Sequence, residues 1–394
     1  MKVFFININS FGNADFTDAL SRYKHSGKQT EIYYYPFENH GERNDPEREE
    51  DMYNEIKKES PDFAFSFNYY PIVSKVCQKI GLKYISWVYD NPHIALYSYT
   101  LINSCNEVFL FDSKMYEDFA SQGIKTVHYM PLAASVRRLD SIKLSQEIKN
   151  KYHSEVCFIG SLYTEDHNFY ERMVPELDSY TKGYLEGLMR SQMQIQGYNF
   201  IQKSIDKKLL ASMYKALPIE PNADGAETQE YIYADYVINR RITGIERLEL
   251  LKKIGERWTV DLYTKDETVE APGVRNHGIA QYYETMPYIF KCADINLNIT
   301  LRSIQKGIPL RCFDIMGVKG FLISNYQEDL LRYFEPDKDF VFYESPNDLM
   351  EKIEFYLANP EKRQEIADRA YEKIKKDHTF DIRVRQILEL SGIT

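Results

Sequence analysis

The stretch NITLRSIQKGIPLRCFDIMG, residues 298–317, sets three cations and an acid on one short segment of mostly apolar residues. A carboxylate at Asp314 can accept hydrogen bonds from two vicinal ribose hydroxyls. Arg302, Lys306 and Arg311 suit a diphosphate, arginine as a bidentate fork and lysine as a point charge. The same spacing also allows a plain Arg311–Asp314 ion pair at i,i+3, worth roughly a few tenths of a kcal/mol on an exposed face. Further candidates follow other apolar runs. In FIGSLYTEDHN, Gly160 and Ser161 offer backbone N–H groups to a phosphate, or simply form a tight turn. In NHGIAQYYE, His277 and Gly278 offer backbone against which a planar base can lie, or an ordinary hydrogen-bonding histidine. SWVYDNPHIALYS carries Asp90 and His93, an acid and a base suited to proton transfer or to holding a sugar hydroxyl; the alternative is a turn in which Asp90 caps a helix. NINSFGN adds Asn9, Ser10 and Gly12. SFNYYP adds Asn68 and Tyr69, a sugar or acceptor surface or a half-buried rim.

Positioning these residues requires strands that end where they begin. Short apolar runs alternate with longer amphipathic ones in two halves, which predicts an α/β fold with parallel, doubly wound sheets. KVFFININ, TEIYYYPF, PDFAFSFN, KYISWVYD, EVFLFD and TVHYMPL read as strands of the first half, residues 1–150. After the charged helical linker DSIKLSQEIKNKYH, the run EVCFIGS opens a second domain, 151–379. A helical insertion of about residues 168–237, rich in tyrosine and methionine, interrupts it before TVDLYT, DINLNIT, FLISN and DFVFY resume the rhythm. Its apolar content fits an ordinary helical core, with an acceptor platform or dimer face as the alternative. The last helix, 380–394, is free to pack back on the first domain. In open sheets of this type ligands bind beyond the carboxyl ends of the strands, where the candidate residues fall.

The length of 394 residues suits two domains, and 43% hydrophobic with 27% charged residues is the composition of a soluble globular protein. A net charge of -10 disfavours a nucleic-acid groove, which concentrates lysine and arginine. The five cysteines stand singly, with no metal-ligand spacing and no disulfide framework, so neither metal nor bound cofactor is expected. MKVFFININ lacks the longer apolar region of a secretory signal, and no apolar run reaches about 18 residues. The expectation is a cytoplasmic protein without a membrane span; the oligomeric state is not encoded in any pattern read here.

FIGSLY, NHG, NLNITLRSIQKGIPLRCFDIMGVKGFLISNYQEDL and the tail FYLANPEKRQEIADRAYEKIKKDHTF resemble the spore-maturation CgeB-like glycosyltransferases. YISWVYDNPH, CNEVFLFD and YMPLA resemble the amino-terminal domain that commonly precedes that module. The resemblance covers nearly the whole chain. It implies a GT-B fold of two facing Rossmann-like domains and metal-independent transfer, of hexosyltransferase type, from a nucleotide sugar, UDP-sugar favoured. The donor would lie in the second domain, and the acceptor, a cell-surface glycan or a protein such as flagellin, largely in the first. Many retaining members carry two glutamates eight positions apart; Asp314 matches the second as a shorter acid, but Lys306 stands at the first. The ribose role therefore carries over and the sugar-binding role does not. If transfer inverts configuration, Asp90 or His93 is the candidate base. Alternatives are a GT-B sugar-nucleotide epimerase and a non-catalytic sugar-nucleotide or glycan-binding protein.

Overall fold

The computed structural model describes residues 1–8, 10–25, 27–38, 41–164 and 168–393. They form two α/β units. The first comprises Met1–Ser135, Asn222–Glu227 and Asp377–Thr394; the second comprises Val136–Pro221 and Thr228–Lys376. The linker DSIKLSQEIKNKYH, expected to end the first domain at residue 150, lies within the second unit, and the chain changes unit four times, after residues 135, 221, 227 and 376.

In the first unit, β1 (Lys2–Asn7), β2 (Glu31–Pro36), β3 (Phe63–Phe67), β4 (Lys83–Val88), β5 (Asn106–Leu110) and β6 (Val127–Tyr129) make one parallel sheet ordered β2-β1-β3-β4-β5-β6. Phe63–Phe67 is buried throughout, as a strand covered on both faces must be. Helices α1 (Asn13–Arg22), α2 (Pro46–Glu59), α3 (Pro71–Ile80) and α4 (Ser113–Ala120) connect these strands. Phe16 of α1 stacks on Phe65 at 4.1 Å. The terminal helix Phe380–Leu390 packs beside α1. Its Phe380 ring meets Trp87 edge-on at 5.9 Å, and Asp381 pairs with Arg22 at 2.7 Å.

In the second unit, β7 (Ser154–Ile159), β8 (Val260–Tyr263), β9 (Val274–Asn276), β10 (Ala293–Asn298), β11 (Leu322–Asn325) and β12 (Val341–Tyr343) form a parallel sheet ordered β9-β8-β7-β10-β11-β12. This is the strand order of a dinucleotide-binding sheet. Its helices include α5 (Ser179–Met193), α6 (Lys207–Ala216), α7 (Asn239–Gly255), α8 (Met286–Cys292), α9 (Leu310–Gly317), α10 (Pro346–Ala358) and α11 (Pro360–Asp377). The insertion carrying α5 and α6 has a core of its own, with Met173, Leu185, Met189, Met213 and Tyr233 buried together. Its methionines and many of its aromatics therefore serve packing. Tyr180, Tyr184 and Tyr198 remain exposed.

The segment Asn222–Glu227 leaves this insertion and belongs to the first unit. Gly225 bridges Ser98, the Tyr99 amide donates to the Asp224 carbonyl at 3.0 Å, and buried Glu227 pairs with buried Arg43 at 2.8 Å. No helix among the described residues is long and apolar enough to cross a membrane.

Candidate functional site

In the second unit the chain runs from β7 to β8 and β9 on one side, then returns through β10 on the other. The crevice for a ligand is expected where that direction reverses, beyond the ends of β7 and β10. Arg247 of α7 fills that point. It lies in the buried stripe of its helix with Thr243, Leu250, Leu251 and Ile254, which puts a cation where the helix faces the sheet. Its Nε and Nη2 donate to the Ile299 carbonyl at 2.9 and 2.5 Å, and its Nη1 donates to the Ser161 carbonyl at 2.5 Å. One guanidinium thus ties the turn after β7 to the turn after β10. The Phe158 and Tyr163 rings lie 5.3 and 5.4 Å from it. No carboxylate among the described residues stands within ion-pair distance of it. Burial pushes this guanidinium below its ordinary pKa; Tyr163 opposes that, and the charge of Arg311 adds to it. Arginine keeps its proton in proteins, so the charge persists and an arriving anion would relieve it.

Arg311 and Asp314, one turn apart on α9, do not pair with each other. The Arg311 guanidinium lies over the Phe290 ring at 5.4 Å with one N–H against the Met286 sulfur, and no described carboxylate lies within ion-pair reach. Asp314 is buried, and its Oδ1 accepts from the Tyr282 hydroxyl at 3.0 Å. The ion pair considered from spacing is therefore replaced by a buried acid held from the loop after β9 and a separate cation. Asp314 has the chemistry for ribose hydroxyls, and Arg247 with Arg311 has the chemistry for a diphosphate.

The other donor-side candidates divide. The Gly160 amide is committed to the Tyr263 carbonyl at 3.0 Å, and the Ser161 hydroxyl accepts from the Tyr163 amide at 3.0 Å. This turn is pressed against α7 at Gly244, where a Cβ would stand 2.5 Å from the Leu162 carbonyl oxygen. His277 is exposed, stacks on Tyr263 at 4.8 Å, and places Nε2 2.6 Å from Asp261, which also takes Arg275 in a bidentate pair. Gly278 follows with its amide on Asn276 at 3.1 Å. Arg302 donates Nε to Glu246 at 2.6 Å, closes a second bond to the same carboxylate, and gives Nη1 to the Ile195 carbonyl at 2.9 Å. It fastens the loop after β10 to α7 and to the insertion. Burial opposes its charge, but Glu246 raises its pKa overall. Lys306 stands 3.3 Å from Glu328. Arg302 and Lys306 are thus each held by a carboxylate, whereas Arg247 and Arg311 have none among the described residues.

In the first unit the candidate loops again follow strands. Asn68, just after β3, adopts a left-handed φ of 58° and is buried. Its Nδ2 donates to Asp90 Oδ2 at 2.7 Å, and its Oδ1 accepts from the Tyr89 and Asp90 amides at 3.2 and 3.3 Å. Asp90 is itself exposed. His93 Nε2 lies against the Tyr69 backbone, 2.9 Å from its carbonyl oxygen and 3.1 Å from its amide, so the ring tautomer decides whether it donates or accepts there. Burial lowers the His93 pKa; Asp90 pulls it back up and Arg43 pushes it down again. Tyr69 requires a correction. It is 0% exposed, with its hydroxyl 2.8 Å from Thr100, so it supports the loop from the core and offers no surface to a sugar. Ser10 bonds Asn13 at 2.6 Å, and Gly12 caps α1 at a left-handed φ of 85°. Asn9 lies outside the described residues.

Two participants escaped the sequence reading. Arg247 sits in ITGIERLELLKKIGER, whose charges look like a solvated face. The available signal was its register with Thr243, Leu250 and Ile254 on the apolar stripe. Tyr282 gave no signal, because its contact with Asp314 spans 32 residues.

Residues 239–389 match a family model described as glycosyl transferase-like. That span contains Arg247, Tyr282, Arg311 and Asp314. No curated protein sequence matches the chain. Among solved structures, a glycosyltransferase from Rickettsia africae aligns with a TM-score of 0.55 at 11% identity, over 99% of this chain and 97% of that one. Anabaena Alr3699/HepE, solved with UDP-glucose, aligns at 0.55 and 9% identity over 100% of both chains. Sucrose-phosphate synthase from Thermosynechococcus elongatus aligns at 0.53 and 10% identity, again over 100% of both. The chain therefore has the GT-B fold of these neighbours, with its two parallel six-stranded sheets.

Proposed function

We propose that this chain is a cytoplasmic glycosyltransferase that moves a hexosyl group from a nucleotide sugar to a glycan or to a protein such as flagellin, without a metal. The observation that carries the reading is the buried Arg247 guanidinium at the strand-order reversal, with no carboxylate partner among the described residues, within a span that matches a glycosyl transferase-like model. Transfer leaves a nucleoside diphosphate, and its growing charge needs preorganised cations more than any other aid. Arg247 and Arg311 supply two. Asp314, oriented by Tyr282, takes the ribose. UDP-sugars are the first donors to test, because the Anabaena neighbour is solved with UDP-glucose. On the first unit, Asp90 and neutral His93 are the groups for deprotonating an acceptor hydroxyl if configuration inverts.

A thermal-shift screen against UDP-, GDP- and dTDP-sugars tests the donor claim, since a ligand of the folded state raises its stability. One sugar nucleotide should raise the melting temperature, and Arg247→Lys should reduce that shift by losing the fork across both carbonyls. Absence of any shift with all three classes overturns the reading. Release of free nucleotide with acceptor, rather than conversion of the sugar alone, separates transfer from epimerisation.

A further inference from the structure

The second unit holds a cavity of about 280 Å³ whose lining does not include Arg247, Arg311 or Asp314. It opens at the carboxyl ends of β10, β11 and β12, between α7 and the start of α10, and the end of α5 forms one wall. The insertion is latched there. Asn199 donates to the Arg302 carbonyl at 2.9 Å, and the Gln196 side chain accepts from the Tyr326 amide at 3.0 Å.

Two features of the walls define what would fit. Their charges balance: Arg302 is held by Glu246, Arg190 pairs with Glu249 at 2.7 Å, and the remaining Lys253, which donates to the neutral Asn347 amide at 2.6 Å, is matched in number by Glu344. A ligand therefore meets no net charge and no buried guanidinium lacking a carboxylate of the kind that Arg247 presents. Tyr343, 4% exposed, lines the cavity, and its hydroxyl makes no hydrogen bond among the described residues. Burial raises its pKa, so the hydroxyl remains a donor at neutral pH. Apolar surface from Leu250 and Ile299 stands beside polar groups of Thr300 and Asn325. In a smaller adjoining cleft, buried Gln327 likewise leaves its Oε1 without a partner.

We infer that this cavity is a second ligand site, taking one neutral sugar unit: a ring with an apolar face to cover Leu250 and Ile299 and hydroxyls to satisfy Tyr343. Its volume is near the lower end of small-molecule pockets, which limits the occupant to about one ring. The inference is independent of the donor assignment.

The test is saturation-transfer NMR on the full chain with glucose, galactose, mannose and N-acetylglucosamine, with and without UDP, and with inorganic phosphate as the anionic control. At least one sugar should bind saturably and UDP should not displace it. Tyr343→Phe should weaken that binding about three- to tenfold by deleting one hydrogen bond. Gln194→Trp, at the exposed rim, should abolish it. Both variants should retain the wild-type melting temperature and UDP affinity. No saturable binding, displacement by UDP, phosphate as the preferred ligand, or binding untouched by both variants would each overturn the inference. If Asp314→Ala weakens UDP binding while the sugar binds as tightly as before, the two sites are distinct. If no nucleotide binds but the sugar does, only the glycosyltransferase reading falls.

Discussion

Asp314 and His93 turn on the same physical question, namely what burial does to a polar side chain and who compensates it. Asp314 is buried with one oxygen on Tyr282, so truncating it removes an acceptor from a site where hydrogen bonds to a charged group count most. Asp314→Ala should weaken nucleotide binding by about 1–3 kcal/mol, measured by calorimetric titration. Affinity unchanged within error would leave Asp314 with a packing role only. His93 is predicted to leave a pH signature. Its folded pKa lies below the unfolded value of 6.5, so its contribution to stability is present above that value. The contribution is lost as pH falls from 6.5 through the lower folded value, because the unfolded chain binds the proton more readily. Melting temperature should therefore fall more steeply between about pH 7 and pH 5 in the wild type than in His93→Gln; parallel curves would show that His93 is not held neutral by the fold. At this scale the sequence offered Asp314 by residue type alone, while its burial and its bond to Tyr282 are visible only in the structure. The sequence was silent where burial alone made the chemistry, as at Arg247, since an arginine inside a charged helix looks the same whichever face it occupies.

At the scale of elements, α7 has two duties: it fills the face of the second sheet, and it carries Arg247 to the ends of β7 and β10. The close approach that permits both is at Gly244. Gly244→Ala would force a methyl against the Leu162 carbonyl, a backbone atom that can yield only if the turn after β7 moves. We expect a loss of about 1–3 kcal/mol of stability in denaturant titration together with weaker donor binding; loss of neither would mean that the turn shifts without consequence. The strands themselves were readable because parallel strands buried on both faces are short continuous apolar runs, as Phe63–Phe67 illustrates. Which strand lies beside which was not readable, since the pairing of β7 with β10 joins segments about 140 residues apart through an intervening helical body. The fate of the insertion was likewise hidden. A methionine or tyrosine at helical spacing has the same appearance whether it packs inward, as Met213 does, or remains exposed, as Tyr180 does.

For the whole molecule, the four crossings of the chain matter most. The six residues Asn222–Glu227 are anchored in the first unit by Arg43, which also donates to the Ile94 carbonyl at 2.8 Å beside His93. Breaking a buried ion pair by neutralising one partner leaves the other charge stranded. Glu227→Gln should destabilise the protein by about 3–5 kcal/mol, and a paired Arg43→Met replacement should recover part of that loss; equal stability of all three proteins in denaturant titration would show that the pair contributes nothing. Sequence reading could not find this crossing, because ALPIEPNADGAETQE carries only the marks of a polar loop. The same path bears on how such a chain can be recombined. A fold assembled from two separate halves can exchange one half at a single junction and test new partners freely. Here the first unit is completed by the loop Asn222–Glu227 and the helix Phe380–Leu390. A chimera joined near residue 135 would inherit a sheet whose Arg43 has lost Glu227 and whose Trp87 has lost Phe380. Exchange of the first unit at that one junction would therefore leave both contacts to be rebuilt by the incoming partner.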